Sequence, residues 1–162
     1  MRTDDFAEFL SMNKAYPPVT LEPVAAHNWR AVSKLEVGPE QREFVADPNF
    51  YLALCAYDPP LWNPLAILAD GVVIGFLMWA IDSSDGSAWL GGITIDRGHQ
   101  RKGYGARAVQ AAITMLADHQ VSHFALSYHP TNLVASRLYS RLGFVETLEL
   151  EGDEIVARFR LD

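Results

Sequence analysis

Cysteine, positive charge and long apolar runs are all scarce in this chain. Its 162 residues include one cysteine, Cys55, which rules out an internal disulfide and leaves no second thiol for a cysteine-type metal site. The longest apolar run, residues 71–81, has about half of the ~20 residues that a membrane helix needs. The first residues lack the basic region and apolar run of a signal peptide. These absences predict a soluble, cytoplasmic protein that has no membrane partner.

Negative charge dominates the ionisable residues. The chain has 13 Lys and Arg against 20 Asp and Glu, which gives a formal net charge of -7 at pH 7. This excess repels nucleic acid, so we expect no nucleic-acid partner, whereas a small cationic substrate is favoured. An apolar fraction of 49% and a length near that of one typical domain indicate a single globular unit.

The first half of the chain predicts short elements followed by an antiparallel meander. A strand over 19–23, a helix over 26–35 and a short helical stretch over 40–45 precede residues 49–57, which fit a strand or a short helix equally well. Asp70-Gly71 between two apolar runs is a strong signal for a β-hairpin. A third antiparallel strand is expected over 88–95.

The second half changes to a helical period. Val109, Ala112, Ile113 and Leu116 lie on one face of a helix that runs from Gly105 to about Asp118. The later predicted elements are a strand over 123–128, a helix over 132–142 and an antiparallel pair over 144–150 and 155–161. Strand, helix and strand over 88–128 predict a parallel crossover in a mixed sheet. Residues 1–16 read as a helical extension ahead of a domain over 17–162.

A glycine-rich loop between a strand end and a helix start carries the clearest chemical signal. Gly103 and Gly105 allow main-chain N–H groups to converge at a helix N-terminus, where an anion binds well. Four basic residues lie in or beside the loop, namely Arg97, Arg101, Lys102 and Arg107. Together they favour a phosphorylated ligand over a turn with solvated cations. The Gly-Lys-Ser/Thr of a P-loop is absent, and no acidic residue ends the next strand as a dinucleotide site requires.

Two segments resemble the signatures of the Gcn5-related N-acetyltransferases. Residues 100–105, Gln-Arg-Lys-Gly-Tyr-Gly, resemble the pyrophosphate loop Gln/Arg-x-x-Gly-x-Gly/Ala, and residues 132–144 resemble Asn-x-x-Ala-x-x-Leu-Tyr-x-x-x-Gly-Phe. The likeness spans roughly residues 19–162. It implies an α/β fold with a mixed, mostly antiparallel sheet of six or seven strands, flanked by helices and open between strands ending near Ile95 and Tyr128. It also implies acetyl-CoA as the acetyl donor.

The resemblance assigns roles to particular residues. Tyr139 is implied to protonate the leaving thiolate, although its spacing alone fits a core tyrosine. Asn132 fits a helix cap and, by the resemblance, also a ligand of the pantetheine amide. The residues implied to hold acetyl-CoA are Ile93, Thr94 and Ile95 on the strand, Gln100, Arg101, Lys102, Gly103, Tyr104, Gly105 and Ala106 in the loop, and Asn132.

The general base and the acceptor are less clear from the sequence. Six residues qualify as the base without one being preferred, namely Glu36, Glu43, Asp82, Asp96, His99 and His129. The N-terminal half is similar to bacterial spermine and spermidine acetyltransferases, which implies a polyamine or similar small cationic amine as substrate. Many relatives carry bulkier charged residues where this chain has Gly91-Gly92.

Several alternatives stay open at this point. Acidic residues at 36–58 and 146–154 fit an anionic rim for a polycation, and they fit solvated faces equally well. Amino sugars, amino acids or a protein amine are alternative acceptors. An acyl-CoA sensor without turnover is a further alternative, and the chain fits either a monomer or a homodimer.

Overall fold

A seven-stranded mixed sheet organises the chain. The computed structural model describes Ser11 and residues 17–58 and 61–161. The strands lie in the spatial order β1-β2-β3-β4-β5-β7-β6. They are β1 (Thr20–Pro23), β2 (Asn63–Ala69), β3 (Val72–Ile81), β4 (Ala88–Ile95), β5 (His123–Tyr128), β6 (Val145–Glu151) and β7 (Glu154–Arg160).

Helices cover both faces of this sheet. Buried residues of α1 and α2, among them Val32 and Cys55, pack with β2 and β3 on one face. Buried residues of α3 and α4 pack with the central strands on the other. The helices are α1 (Trp29–Ser33), α2 (Pro48–Tyr57), α3 (Tyr104–Ala117) and α4 (Leu133–Arg141), and two 3₁₀ turns occupy Pro39–Gln41 and Arg97–His99.

The strand pairing confirms the predicted fold class. Every neighbouring pair is antiparallel except β4 and β5, which are parallel. Asp70 and Gly71 both have positive φ, 49° and 76°, as the two-residue turn between β2 and β3 requires. The period-3.6 prediction for α3 is also confirmed, because Val109, Ala112 and Ile113 are fully buried.

The parallel pair β4 and β5 separates soon after it begins. Cα partners exist only at Ala88 with Phe124 and Trp89 with Ala125. Past these residues, β4 runs on to Ile95 and β5 to Tyr128 without pairing to each other. The sheet is therefore open where the sequence predicted, and one main-chain edge of each strand is left without a strand partner.

Two predictions in the first half need correction, and one open alternative is resolved. The helix expected over 26–35 shortens to α1, because the buried Asn28 side chain accepts from Ala25 N (2.8 Å) and donates to the Pro23 carbonyl (3.1 Å). The helix expected over 40–45 is a single 3₁₀ turn that ends at Gln41. The ambiguous run 49–57 is helical, since Asp47 caps α2 by accepting from Asn49 N (2.8 Å) and Pro48 starts it.

Two findings concern the predicted N-terminal helix and membrane-spanning segments. The helix predicted for residues 1–16 lies outside the described residues, apart from Ser11. None of the helices in the described part of the chain is long and apolar enough to cross a bilayer.

Cys55 is buried with its Sγ 3.7 Å from Met78 Sδ, and burial raises the pKa of its thiol to about 11. It therefore acts as a small core residue, as expected.

Candidate active site

A cavity of about 1310 Å³ lies where β4 and β5 diverge. Its wall combines the outer half of β4, the loop before α3, the end of β5, one side of α4 and the turn that joins β6 to β7. Residues 37–45, which precede α2, complete it. All the segments predicted to form the site thus meet around one space.

The outer half of β4 offers main-chain groups to this cavity. Ile93, Thr94 and Ile95 line it, and here β4 is paired with β3 on one side only. The Thr94 side chain is buried and its hydroxyl donates to the Gly92 carbonyl (3.0 Å), so the backbone is what Thr94 can present to a ligand. An extended ligand can hydrogen-bond such an edge as an added strand does.

Gly92, in the outer half of β4, is sterically constrained. Its φ is +60°, and a Cβ placed there would lie 3.1 Å from the Phe76 ring and 3.3 Å from the Tyr51 ring. A larger residue at this position would displace both rings. The glycine therefore brings α2 close to β4 and sets the width of the cavity.

The glycine loop, defined here as residues 96–105, presents the start of α3 to the cavity. Gly103 has φ +86° and forms the N-cap, and Arg101 is also left-handed at φ +60°. Tyr104, Gly105 and Ala106 follow as the first turn and line the cavity. Because the first N–H groups of a helix have no intrahelical partner, this turn forms an anion cradle.

Some side chains of the glycine loop line the cavity, and others make hydrogen bonds that stabilise the loop. Arg101 lines the cavity, whereas Lys102 does not, since its Nζ donates outside it to the Gly98 carbonyl (3.3 Å). Gln100 donates through Nε2 to the Ile95 carbonyl (2.8 Å) and to Gln41 Oε1 (2.7 Å). Gln100 therefore fixes the shape of the loop as well as lining the cavity.

Residues 36–46, called the cover segment below, are tied to the glycine loop. Besides the contact between Gln100 and Gln41, Glu36 N donates to Asp96 Oδ1 (3.0 Å) and Arg97 N donates to the Glu36 carbonyl (2.7 Å). Beyond these bonds, the Phe44 ring lies 5.9 Å from that of His129, which follows β5 on the opposite wall. The cover segment thus reaches across the opening between the two strands.

Asn132 and Tyr139 lie on α4 and face the same cavity. Asn132 caps the helix by accepting from Ala135 N (3.2 Å), and its amide group has no partner within residues 17–58 and 61–161. Tyr139 is 8% exposed and packs against the rings of Tyr128 (5.5 Å) and Phe144 (6.1 Å). Its hydroxyl has no hydrogen bond to any described residue, and because Tyr139 lines the cavity this hydroxyl is available to a ligand.

The pKa of Tyr139 is raised by its surroundings. Burial is the main cause, and the negative charge of Glu154 adds to it. The phenol is accordingly protonated at neutral pH and serves as a hydrogen-bond donor. Glu154 has the same effect on the pKa of Tyr51, which burial raises and a hydrogen bond from Ala46 N (3.0 Å) lowers.

Carboxylates from the end of β6 and the start of β7 line another part of the cavity wall. Glu154 accepts a hydrogen bond at Oε2 from Ser127 Oγ (2.6 Å), and Glu151 is its cross-strand partner in the β6–β7 hairpin. The acceptor end, as we name this region, comprises Tyr51, Asp82, Ser127, Glu151 and Glu154, all of which line the cavity. Both glutamates fall among the acidic residues at 146–154, and no sequence motif marks either of them.

Three of the six residues considered as general base line the cavity, and three do not. Glu36, Glu43 and Asp96 do not line the cavity, whereas Asp82, His99 and His129 do. Asp82 already accepts from Ser84 N and Oγ, which lowers its pKa. His99 Nδ1 lies 3.7 Å from Asp96, and His129 contacts Thr131 Oγ1 (2.7 Å) and Asp153 (3.8 Å).

Fold and cavity together define an acyltransferase that takes its acyl group from a coenzyme A thioester. Residues 24–144 match the acetyltransferase (GNAT) family, and the chain belongs to that family. It is an acetyl-CoA-dependent N-acetyltransferase, with acetyl-CoA as the acetyl donor. The resemblance expected from the two signatures is thereby confirmed.

Two curated relatives carry names in the polyamine class. The chain is 27% identical over 149 residues to a probable spermine N(1)-acetyltransferase of Bacillus subtilis subsp. natto (strain BEST195), across 86% of this chain and 97% of that protein. Identity and coverage are the same for a spermine/spermidine N(1)-acetyltransferase of Bacillus subtilis (strain 168).

A solved structure shares the fold. The aminoglycoside acetyltransferase AAC(6')-Ib, in complex with paromomycin and acetyl-CoA, superposes with a TM-score of 0.71 at 17% identity. The match covers 88% of this chain and 93% of that one. At this identity, the likeness concerns the fold.

Proposed function

We propose that this enzyme acetylates a primary amine of a small cationic molecule, most of all a polyamine, by direct attack of the amine on acetyl-CoA. One observation carries the proposal: a single cavity is lined by a main-chain anion cradle, by a buried tyrosine whose hydroxyl has no partner in the described chain, and by the carboxylates of Asp82, Glu151 and Glu154. The cradle suits phosphates, and the carboxylates suit an ammonium group.

Acetyl-CoA, the acetyl-donating substrate, fits the unpaired groups of the cavity. The first turn of α3 would hold its pyrophosphate through main-chain N–H groups, with Arg101 supplying charge. The free edge of β4 at Ile93 to Ile95 would bind the pantetheine arm, and the Asn132 amide can donate to it while its oxygen caps α4. Lys102 remains a predicted phosphate contact that acts from outside the cavity wall.

Tyr139 is assigned the role of general acid. Its hydroxyl is protonated and available in the cavity, so it can donate to the thiolate as negative charge develops on sulfur. Main-chain N–H groups of β4 are suited to the oxygen of the thioester carbonyl, where charge also develops. Neither group needs to reorganise, because both are fixed by the fold.

The polyamine class rests on charge and on the names of two relatives. The net charge of -7 and the carboxylates of the acceptor end favour a substrate with more than one positive charge. The B. subtilis relatives are named for spermine and spermidine. Amino sugars, amino acids and protein amines differ from polyamines in the number and spacing of charges, which makes them informative competitors.

A panel of amines assayed with acetyl-CoA tests this function. Thiol release would be measured with spermine, spermidine, putrescine, a monoamine, an aminoglycoside, amino acids and a peptide, and each product confirmed by mass. We expect the highest kcat/KM with a polyamine. Acetyl-CoA binding without thiol release from any amine would favour a sensor, and preference for a monoamine or an amino sugar would overturn the polyamine class.

A further inference from the structure

Glu154 is the carboxylate of the acceptor end that is best placed for chemistry. It is the first residue of β7, and Ser127 on the neighbouring β5 pairs with Val156, so Glu154 and Ser127 share one face of the sheet. The hydrogen bond from Ser127 Oγ to Glu154 Oε2 (2.6 Å) fixes the side chain over the opening of the sheet. Its Oε1 makes no hydrogen bond or ion pair with the described residues.

Two tyrosines locate this carboxylate within the cavity. The charge of Glu154 acts on the hydroxyl of Tyr139, which comes from α4, and on that of Tyr51, which comes from α2 on the opposite face of the sheet. Tyr51, Tyr139 and Glu154 all line the same cavity, where the sheet is open. This is the place where an amine approaching from the α2 side would meet a thioester held against β4 and α4.

We propose that Glu154 binds the attacking nitrogen of the substrate and takes its proton, with Ser127 as the residue that positions it. This inference rests on the proposed function and adds the residue that prepares the amine. An ammonium group has no lone pair to attack with, so a base must remove one proton before the C–N bond forms.

Other carboxylates of the cavity suit this role less well. Asp82 Oδ1 already accepts two hydrogen bonds from Ser84, and Asp82 belongs to the turn after β3. Glu151 lies directly across from Glu154, and it is exposed beside the β6–β7 turn. Two like charges facing each other across a hairpin repel, and an ammonium group bound between them removes that cost.

The proton balance links Glu154 to Tyr139. The ammonium gives one proton to Glu154, and the resulting amine forms the C–N bond as the C–S bond breaks. The sulfur takes a proton from Tyr139, and the tyrosinate regains one from the new amide nitrogen, so one proton leaves through Glu154 to solvent. Protonated Glu154 is neutral and no longer opposes ionisation of Tyr139, which therefore donates more readily at that stage.

Glu154→Gln is the first test, because the amide keeps the size of the side chain and an oxygen to accept from Ser127. We expect kcat with the best amine to fall about 10²-fold or more, with the Kd of acetyl-CoA within about twofold of wild type. Glu149→Gln is the matched control. It removes the same charge from the same hairpin, but its carboxylate is paired with Arg158 (2.7 Å) and does not line the cavity.

Two further variants keep the test decisive. Glu154→Asp retains the charge but withdraws it by one methylene, and we expect kcat to fall while the amine KM changes little. Glu154→Ala should regain activity as formate is added, because a small carboxylate can occupy the vacated space and accept the proton. Rescue of that kind would not occur if Glu154 merely stabilised the hairpin.

The outcomes separate this inference from the proposed function. Wild-type activity in Glu154→Gln, or a rise in amine KM with kcat unchanged, would overturn the role of Glu154 as proton acceptor while leaving the acetyltransferase intact. If wild-type protein acetylates no amine in the panel, the proposed function fails first. A Glu154→Gln protein that loses acetyl-CoA binding is replaced by Glu154→Asp, whose unaltered kcat would equally overturn the inference.

Discussion

The two ends of the cavity differ in the chemical groups that they present: one presents main-chain groups and the other presents side chains. The glycine loop and β4 offer main-chain N–H and C=O groups, contributed by a nearly continuous stretch of the chain. The acceptor end offers side chains that come from α2, the turn after β3, β5 and the β6–β7 hairpin. We therefore expect the donor to be bound mainly by the backbone and the acceptor mainly by side chains.

This difference predicts where each end is vulnerable. A backbone site tolerates most side-chain changes, yet it fails when a residue fills the space that the ligand must enter. A side-chain site loses function one group at a time, and each loss changes the specificity or the rate rather than the binding of the donor. Substitutions at the two ends should therefore affect different constants.

Gly103→Val is expected to produce the largest effect. It places a branched side chain at the N-cap of α3, where φ is +86°, and blocks the approach of phosphate to the cradle. Losing two charge-assisted hydrogen bonds, each worth about 2 kcal/mol, would weaken acetyl-CoA binding by about 10³-fold. Isothermal titration with acetyl-CoA measures this loss.

Gly71→Val is the matched control for that substitution. Gly71 has a similar φ of +76° in the β2–β3 turn, with open space where a Cβ would lie. Both variants should lose comparable stability through backbone strain, but only Gly103→Val should lose acetyl-CoA affinity. Equal affinity in the two folded variants would contradict the cradle.

Tyr139→Phe tests whether the Tyr139 hydroxyl takes part in the reaction. We expect kcat to fall about 10²-fold with little change in the Kd of acetyl-CoA, because the hydroxyl acts mainly in the transition state. The free energy of unfolding should not fall, since that hydroxyl has no hydrogen bond in the described chain to lose. Steady-state kinetics and urea denaturation provide the two measurements.

Tyr128→Phe provides the comparison within the same ring cluster. The Tyr128 hydroxyl donates to Glu146 Oε1 (2.7 Å), and burial together with that contact raises its pKa to about 12. Its removal should cost about 1.5 kcal/mol of stability with kcat nearly unchanged. If the two tyrosines exchanged these effects, Tyr139 would be structural and water would be the proton donor.

Salt should distinguish the two ends through charge. Raising NaCl from 50 to 500 mM is expected to raise the KM of a polyamine about tenfold and that of a monoamine much less, because several charges are screened in the first case. Initial rates at saturating acetyl-CoA measure both. Equal salt slopes would count against an anionic acceptor end.

Gln41→Ala should have the smallest effect. It removes the bond from Gln100 Nε2 to Gln41 Oε1 (2.7 Å), which connects the glycine loop to the cover segment, and the bond from Gly38 N (3.3 Å) within the cover segment. Each bond has a net worth of about 1 kcal/mol, so the amine KM should rise about two- to fivefold. Arg42→Ala, an exposed neighbour outside the cavity wall, should leave the KM unchanged. A similar rise in both variants would point to general loosening of the cover segment.

The fold was predictable wherever local signals agree with packing. The Asp70-Gly71 turn and the apolar face of α3 each specify their element within a few residues. The first half resisted prediction for two reasons. Asp47-Pro48 fits a helix end as well as a helix start, and here it is a cap followed by a first-turn proline; the buried contacts of Asn28 shorten α1.

The site was predictable to the extent that it is local in sequence. The cradle and the tyrosine belong to two contiguous motifs, and the cavity brings these together. Glu154 was not singled out, because its contact with Ser127 depends on the register of β5 against β7, and those residues lie 27 positions apart. The alternation of β7, with Glu154 and the buried Val156 on one face, was the available signal.

The hydrogen bonds between the cover segment and the glycine loop also bear on the order in which the two substrates bind. A ligand held by the loop is linked through Glu36 and Gln41 to the strip of chain that reaches Phe44 and His129. We therefore expect acetyl-CoA to bind before the amine. The free thiol should leave last, so product inhibition by coenzyme A should be competitive toward acetyl-CoA and noncompetitive toward the amine.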